Sequence, residues 1–228
     1  MATRRAPSRS AAPAAPRVPL ADPAETDAAA GWDELGIGGE FDSVRLTGAP
    51  GLPELSDVVW RDCVLARVEL GGTDLVRARF EGCTLSGVDA AELAASCSHW
   101  RHTTVRQLRA GVVDLVASHL QAVRLSGARL GRLDLRRAKV ADLLIEDASI
   151  DELDLEEANA TRVAFRDVRI GRLLVAGAAL RDVDLRGARL ESVGPVQALR
   201  GAVISEWQLQ ALAPAFAAEL GLRVLGGE

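Results

Sequence analysis

Residues 118–192 read SHLQA VRLSG ARLGR LDLRR AKVAD LLIED ASIDE LDLEE ANATR VAFRD VRIGR LLVAG AALRD VDLRG ARLES, a run of fifteen five-residue blocks that decides the fold. The third residue of every block is apolar, and the first is small or aliphatic. The other three residues are mostly polar, charged, Ala or Gly. A period of five fits neither an amphipathic helix nor a simple alternating strand.

The spacing within each block suggests how the chain must run. Two apolar residues two positions apart point to the same side of an extended segment. The next positions, where Gly, Asp, Glu and Arg are frequent, must turn the chain so that the following apolar pair also points inward. A chain that turns every five residues and keeps one side dry coils around an axis, and each coil buries its apolar side against its neighbours. The pattern therefore predicts a solenoid.

The blocks ARLGR, AALRD, VDLRG and ARLES resemble the pentapeptide-repeat proteins, whose pattern is A(D/N)Lxx. The resemblance implies an all-β fold, a right-handed quadrilateral β-helix with about twenty residues per coil, and we expect a short C-terminal α-helical segment after it. The second-position Asp or Asn of the family is present at Asp74, Asp89, Asp114, Asp134, Asp154, Asn159 and Asp184.

One unbroken register covers the 135 residues from Val58 to Ser192, and the central residue of all 27 blocks is apolar. First positions twenty residues apart also share a character. One such column is nearly all small: Val58, Ala78, Ser98, Ser118, Ala138, Ala158, Ala178. The next column is larger: Cys63, Cys83, Thr103, Val123, Leu143, Val163, Val183. Residues that stack one coil apart would show this period, so it supports four sides independently of the resemblance.

The segments outside this register complete a four-part organisation. Residues 1–30, rich in Ala, Pro and Arg, are predicted to be a disordered tail, with an arginine-rich nucleic-acid arm as the alternative. Residues 31–57 are predicted to be an N-terminal cap and an irregular first repeat, one residue out of register. The repeat β-helix is expected at 58–204 and a helical segment at 205–228. The expected cap residues are Trp32, Leu35, Ile37 and Phe41.

The C-terminal segment has the signals of a helix. Ser205 and Gln208 fit a capping box, Gly221 is a stop signal, and Pro214 should kink the helix or start a second one. The segment either caps the last coil or pairs with its copy in a homodimer. The candidate cap or dimer residues are Trp207, Leu209, Leu212 and Phe216, of which the last three should share one face.

Composition narrows the class of protein. The 228 residues carry 27 Lys+Arg and 32 Asp+Glu, a net charge of −5. Abundant Ala, Arg and Gly are typical of a GC-rich bacterial genome, such as that of an actinobacterium. No apolar run is long enough to span a membrane, and Pro13, Pro16 and Pro19 interrupt any signal peptide. We therefore expect a cytoplasmic protein with no membrane association.

An acidic coil at residues 138–157 is the most conspicuous charge feature, with a net charge of −7. Its eight carboxylates, called the acidic band below, are Asp142, Glu146, Asp147, Asp151, Glu152, Asp154, Glu156 and Glu157. The flanking coils 118–137 and 158–177 have net charges of +4 and +3, which cancel it. We interpret the band as a ladder of ion pairs between residues twenty apart. The expected contacts are Arg132 with Glu152 and then Arg172, Arg136 with Glu156, Arg137 with Glu157, Asp142 with Arg162, and Glu146 with Arg166.

Other residues that could carry chemistry favour structural interpretations. His99 and His119 should stack one coil apart near His102, but their spacing matches no zinc motif, so we predict no metal. Cys63 and Cys83 also stack; we interpret them as core thiols, with a disulfide as the alternative. The stretch 108–122 puts Val112, Val116, Ala117 and Ala122 outward, either as scattered exposed aliphatics or as a partner patch.

These observations predict a non-enzymatic protein. The sequence has no phosphate-binding glycine loop, nucleophile elbow or paired His–carboxylate motif, so we predict no catalytic residue and no cofactor. The favoured function is a rigid protein-interaction scaffold, with an unidentified protein partner and no direct nucleic-acid binding by the shaft. Some pentapeptide-repeat proteins present an acidic surface that mimics duplex DNA and engages DNA gyrase. The resemblance therefore implies an alternative, in which the acidic band binds gyrase and modulates or protects it.

Overall fold

Parallel strands stack along one axis in the computed structural model, which describes residues 12–18, 32, 38–49 and 54–225. The described strands are β1 (Glu40–Asp42), β2 (Arg45–Gly48), β3 (Val59–Arg61), β4 (Val64–Glu69), β5 (Arg79–Glu81), β6 (Thr84–Ala94), β7 (His99–Arg101), β8 (Thr104–Asp114), β9 (His119–Ser126), β10 (Arg129–Asp134), β11 (Lys139–Asp154), β12 (Asn159–Leu174), β13 (Ala179–Asp184), β14 (Ala188–Gly194) and β15 (Ala202–Val203). A 3₁₀ turn at Val196–Leu199 and helix α1 (Glu206–Glu219) lie near the C-terminus. The strand pairings are parallel.

The strand register advances by twenty residues per coil. Trp60 pairs with Phe80, Phe80 with Trp100, and Trp100 with Leu120. The solenoid has about eight turns and one helix near its C-terminus. The predicted all-β repeat solenoid is therefore confirmed, because the apolar residues twenty apart stack and exclude water from the axis.

The chain turns its corners at the fifth position of the blocks. Asp62, Arg67 and Arg77 have φ angles of 52°, 52° and 58°, in the left-handed region. From residue 92 onward, the corner that follows the third block of each coil is different, because Glu92 and Val112 do not have φ angles in the left-handed region. Strands β6, β8, β11 and β12 therefore continue across that corner.

The second-position Asp of the repeat builds a turn. Asp74, Asp114 and Asp154 each accept, through Oδ1, the backbone N–H two residues later, at 2.7, 3.0 and 3.0 Å. Asp134 and Asp184 do the same at 3.2 and 3.1 Å. A carboxylate that accepts this N–H closes an Asx turn, so these residues hold the chain direction at the corner.

Aromatic side chains fill the N-terminal end of the shaft. Phe41, Trp60, Phe80 and Trp100 follow one another, with ring centroids 5.1, 6.1 and 4.2 Å apart. Trp32 meets Trp60 edge-on at 6.5 Å, and its indole N–H donates to the carbonyl of Thr47 at 2.7 Å. The other two expected cap residues, at positions 35 and 37, lie outside the described residues.

Both ends of the shaft depart from the twenty-residue step. Phe41 pairs with Trp60 and Leu46 with Leu65, nineteen residues apart, so the first repeat is one residue out of register as predicted. The irregular loop expected over 49–53 lies outside the described residues from position 50. At the other end, Val183 pairs with Ala202, again nineteen residues apart.

Helix α1 closes the C-terminal end of the shaft. Its predicted capping box is confirmed: Ser205 Oγ accepts from the Gln208 N–H at 3.1 Å, and the Gln208 side chain accepts from the Ser205 N–H at 2.8 Å. Pro214 lies inside α1 and starts no second helix, because the Ala-rich turns on both sides favour one continuous helix. The helix ends at Glu219, and Gly221 follows it with a φ of 67°.

The buried face of α1 differs from the expected one. Gln208 is 2% exposed and Leu212 is 6% exposed, and Phe216 packs partly buried against the core. Leu209 is 52% exposed, so its expected place on this face was wrong. Gln208 takes that place because its side-chain NH₂ donates to the carbonyls of Leu185 and Ala188, at 2.6 and 2.7 Å. The buried amide group is thus itself hydrogen-bonded, and it gives the Leu185 carbonyl a second donor beside the Ala188 N–H.

Candidate protein-interaction surface

The acidic band lies on the coil formed by β11 and the turn after it. Its members differ strongly in exposure. Asp142, Glu146 and Asp154 are only 7%, 8% and 1% exposed, whereas Asp147, Asp151 and Glu157 are exposed. Glu152 and Glu156 are half-buried. These three carboxylates are thus buried, which corrects the expected eight-residue acidic face.

Part of the predicted ion-pair ladder is present. Arg132 contacts Glu152 at 3.0 Å, and Glu152 contacts Arg172 at 3.5 Å. Arg162 donates to both carboxylate oxygens of Asp142 at 2.7 Å. These partners are twenty residues apart and lie in register on adjacent strands.

Other predicted pairs were wrong in their partners. Glu146 pairs with Arg124 at 2.5 Å, although Arg166 is its neighbour in register. Arg136 pairs with Asp134 at 2.7 Å and approaches Asp154 at 3.6 Å, not Glu156. The physical reason is that a long Arg side chain can also reach a diagonal neighbour, as Arg124 does, or a carboxylate two residues earlier in its own turn, as Arg136 does. Arg137 and Glu157 also make no ion pair within the described part of the chain.

Asp154 has a structural role that its place in the acidic band concealed. Its carboxylate accepts the Glu156 N–H and a 2.7 Å charged hydrogen bond from Arg132. The signal was present in the sequence, since Asp154 is a second-position Asp of the repeat. A buried, paired carboxylate of this kind holds the turn and contributes little field outside the shaft.

What remains accessible is a small, mixed-charge surface. Across the described residues, Asp147, Glu156 and Glu157 make no ion pair, and Asp151 has only a 3.9 Å contact with Arg169. The flanking coils 118–137 and 158–177 carry net charges of +4 and +3. The positive charge of the flanking coils therefore neutralises the acidic band, which does not form a continuous acidic face.

Asp142 also joins the shaft to the N-terminal part of the chain. The backbone N–H of Arg17 donates to Asp142 Oδ1 at 2.9 Å. The Arg162 guanidinium lowers the pKa of this carboxyl, and the Arg17 N–H adds to the effect against the opposing cost of burial. Residues 12–18 belong to the tail that was expected to be disordered, and they contact the shaft at this point.

The histidine pair forms a stack and no chelate. The rings of His99 and His119 lie parallel, with centroids 4.8 Å apart and planes inclined by 2°. Burial lowers the pKa of His99, and the charges of His119 and Arg79 lower it further. In the described ranges, no group of three or more His, Cys, Asp or Glu side chains is arranged to hold a metal ion.

Cys63 and Cys83 are fully buried free thiols, and Cys97 is exposed. The Cys63 thiol donates to the carbonyl of Arg61 at 3.1 Å, and that of Cys83 to Trp60 at 3.4 Å. Contact with Cys63 and burial raise the pKa of Cys83. The two thiols therefore act as small core residues.

The interior of the shaft leaves no room for a substrate. An apolar void of about 40 Å³ lies among core side chains that include Trp100, Val105, Leu108, Leu125 and Leu130. A void of this size holds little more than one water molecule, whose share of liquid volume is about 30 Å³, and its apolar lining offers no polar partner.

Apolar exposure is concentrated at the C-terminus. In the described ranges, the exposed large hydrophobic residues are Trp207, Leu209, Leu220, Leu222, Val224 and Leu225. The four candidate cap or dimer residues are thus divided: Leu212 and Phe216 face the shaft, while Trp207 and Leu209 face outward.

Outward residues of the stretch 108–122 are less accessible, since Val112, Val116 and Ala117 are half-buried and Ala122 is buried.

Comparisons with known proteins agree with the repeat. A family model described as "Pentapeptide repeats (8 copies)" matches residues 54–91. No curated protein matches the chain. Among solved structures, full-length QnrB1, a plasmid-mediated fluoroquinolone resistance protein, is 14% identical, covers 78% of this chain and 99% of its own, and has a TM-score of 0.31. HetL, involved in heterocyst differentiation regulation in the cyanobacterium Nostoc, is 16% identical over 73% of this chain and 90% of its own, with a TM-score of 0.27. At such TM-scores these likenesses support no argument about function.

No helix among the described residues is both long and apolar enough to cross a membrane.

Proposed function

We propose that this chain, which belongs to the pentapeptide-repeat family, is a non-enzymatic rigid scaffold that binds a protein partner through the outside of its shaft. The observation that carries the proposal is the interior of the shaft. It is filled by stacked apolar side chains around a void of about 40 Å³. A molecule with a packed axis must act through its surface, and a parallel ladder of about eight turns makes that surface rigid.

The accessible surface supports protein binding at two places. Mixed charges, with Arg side chains beside exposed carboxylates, cover the middle of the shaft. Exposed apolar side chains are gathered at the C-terminal end, where Trp207 and Leu209 are 60% and 52% exposed. Apolar groups gathered at one end of a molecule mark an interaction site. We therefore place a homodimer contact at the C-terminal segment, and a different protein partner on the shaft.

The proposed location is the cytoplasm. Cys63 and Cys83 stack in register as free thiols, and Cys97 is an exposed free thiol. Free thiols are typical of a reducing compartment.

A second candidate function is DNA mimicry directed at DNA gyrase. It is supported by the exposed carboxylates of Asp147, Asp151 and Glu157 and by the chain's net charge of −5. The arginines of the flanking coils weaken it, because a mimic of duplex DNA needs a continuous negative field to enter a basic groove. The scaffold is therefore favoured.

A gyrase supercoiling assay separates the two functions. Increasing amounts of the full chain are added with and without a quinolone, and compared with a variant in which Asp147, Asp151 and Glu157 are changed to Lys. A second variant, in which Asp62, Glu69 and Asp89 are changed to Lys, reverses three exposed carboxylates outside the acidic band and serves as the control matched in charge. Inhibition or protection that is lost only in the acidic-band variant would establish mimicry. No effect at large molar excess excludes it for the gyrase tested.

The scaffold itself is tested by cross-linking the full chain in its host and comparing partners recovered by the same two variants. We expect a partner that one surface variant loses and the other retains. Recovery that is insensitive to every surface change, including changes at Trp207 and Leu209, would contradict a specific scaffold. Analytical ultracentrifugation of the Trp207→Asp variant tests the homodimer separately, because the substitution should give a monomer with an intact shaft.

A further inference from the structure

The segment of residues 12–18, APAAPRV, contacts the shaft and carries two half-buried prolines three positions apart. Pro13, Pro16 and Val18 are half-buried, whereas Ala14 and Ala15 between the two prolines are exposed. The segment has neither helical nor strand hydrogen bonding. Two prolines three positions apart on the same side are the signature of a polyproline II helix, which has three residues per turn.

The shaft meets this segment with a carboxylate. Asp142 Oδ1 accepts the backbone N–H of Arg17 at 2.9 Å, and Arg162 holds the same carboxylate with two bonds of 2.7 Å. The carboxylate is thus fixed in direction before the segment arrives. A Pro-rich segment has few backbone donors, so one well-placed acceptor defines its register on the surface.

Beside Asp142 lies an apolar side chain that is covered although it points outward. Leu144 occupies the second position of its block, between the inward residues Leu143 and Ile145, yet it is only 4% exposed. Leu174, an outward leucine on another side of the shaft, is half-buried. Arg124 and Glu146 form an ion pair at 2.5 Å next to Leu144, so a charged wall borders the apolar floor. Polyproline II segments characteristically dock in aromatic-lined grooves, whereas here the apolar contact is the aliphatic side chain of Leu144.

Chain length allows this contact within one molecule. Ser43 and Asp142 occupy the same corner, because the first step is nineteen residues and the next four are twenty, so they lie five coils apart, roughly 24 Å at a strand spacing of about 4.8 Å. The twenty residues from Val18 to Gly38 can span up to about 66 Å. The segment can therefore reach Leu144 from the start of its own shaft without strain.

We propose that the surface formed by Asp142, Leu144 and Glu146 is a docking site for polyproline-type peptides, and that the chain's own residues 12–18 are its resident and displaceable occupant. The site is distinct from the proposed C-terminal dimer contact and does not depend on it. A stiff Pro-rich segment loses little conformational entropy on docking, so a small site suffices to hold it when it is tethered. While the segment is bound, this side of the shaft is closed to other ligands.

Hydrogen exchange of the full chain tests the docking. We expect the amide of Arg17, which donates to Asp142, to exchange at least ten-fold more slowly than in an unstructured peptide, and Leu144→Arg to abolish this protection. Leu174→Arg places the same charge on another outward leucine and should leave the protection intact. Exchange of β9 and β12 reports whether either variant disturbs the shaft. Free exchange of residues 12–18 in the wild-type chain would overturn the proposal.

A peptide experiment keeps the proposal testable if Leu144→Arg fails to fold. The double variant Pro13→Ala, Pro16→Ala leaves the shaft sequence unchanged and should release the segment. A fluorescein-labelled peptide of residues 10–20 is then titrated into both chains and followed by anisotropy. We expect at least ten-fold tighter binding to the double variant than to the wild-type chain, whose own segment competes. Equal affinity for the two chains, or no binding to either, would contradict a displaceable occupant.

Discussion

The ring of Phe80 lies on the indole of Trp100 one coil later, with centroids 4.2 Å apart and ring planes inclined by 20°. The indole N–H of Trp100 donates to Ser98 Oγ at 2.7 Å, which fixes the ring within the shaft. Trp60 continues the column below Phe80, parallel to within 2°. Phe80 is therefore held between two large rings and connects three coils.

Shortening Phe80 should destabilise the shaft strongly. Phe80→Ala removes a ring that is 1% exposed, and we expect a loss of about 3–5 kcal/mol in the free energy of unfolding. The unfolding of the full chain in urea, followed by tryptophan fluorescence, measures it. Phe80→Leu retains most of the apolar volume and should cost less than half as much. Similar stability of all three chains would show that the aromatic column does not hold these coils together.

A charge placed on the axis should unfold the shaft. Leu135 is 1% exposed in the middle of the solenoid, and Leu135→Glu would bury a carboxylate that has no partner there. We expect loss of the β-sheet circular dichroism signal or an insoluble chain. Gln121→Glu introduces the same group at an exposed position and should fold normally. A soluble and fully folded Leu135→Glu variant would contradict the register.

The register could be predicted from the sequence because it follows from packing at every fifth residue. An inward residue such as Leu130 or Leu135 is set by local alternation, and a coil of twenty brings like residues together. The ion pairs were harder to predict, since Arg124 reaches Glu146 diagonally although Leu144 is its direct neighbour. The five-residue pattern specifies Cα neighbours, whereas the rotamers of long side chains choose among several acceptors.

Sequence alone also missed two contacts that depend on how the ends of the chain return to the shaft. Gln208 is buried where its side-chain NH₂ donates to the carbonyls of Leu185 and Ala188 at the end of the shaft. Arg17 meets Asp142 across 125 residues of sequence. No local period reports such contacts, because each joins a segment outside the repeat to the shaft.

Removing Arg132 should cost far more than removing an exposed arginine. Arg132 contacts Asp154 at 2.7 Å and Glu152 at 3.0 Å, and the Asp154 side chain is only 2% exposed. Arg132→Met leaves the Asp154 carboxylate with only Arg136, at 3.6 Å, as a charged partner. We therefore expect the free energy of unfolding to fall by about 3 kcal/mol. The exposed pair Arg101–Glu81 provides the comparison, and Arg101→Met should cost less than about 1 kcal/mol.

A double-mutant cycle in urea tests the assignment to Asp154. Asp154→Asn removes the charge and should recover part of the loss in the Arg132→Met background. If the effects of the two substitutions on the free energy of unfolding simply add, Arg132 and Asp154 are not coupled, and this ion pair has no role in stability.

Thiol reactivity should distinguish the three cysteines. Cys97 is exposed, whereas Cys63 and Cys83 are fully buried, and burial with the Cys63 contact raises the pKa of Cys83. We expect one thiol of the native chain to react with an aromatic disulfide reagent at pH 8 and three to react in guanidinium chloride. Cys97→Ser should reduce the native number to zero. Fast reaction of two or three thiols in the native chain would show that the first coils open.

The histidine stack should make stability fall on mild acidification. Burial first, then the charges of His119 and Arg79, lower the pKa of His99 in the native state, whereas an unfolded histidine titrates near 6.5. Between those two values the unfolded chain binds more protons, so the free energy of unfolding decreases as the pH falls below about 6.5. The carboxyls of Asp142 and Asp184 also have lowered pKa values, but they lose their contribution only as the pH falls below their unfolded pKa of about 3.9, so the two effects are separable.

Two measurements test this titration. Urea unfolding at pH 7.5, 6.5 and 5.5 should show a decrease that is smaller in His99→Gln than in the wild-type chain. The ring proton resonances of His99 should titrate with a pKa below 6.5. The His119→Gln variant should raise this pKa, because the substitution removes the like charge of His119 but leaves part of the burial of His99. A His99 pKa at or above 6.5 in the folded chain would mean that its ring is hydrated and that the stack does not exclude water.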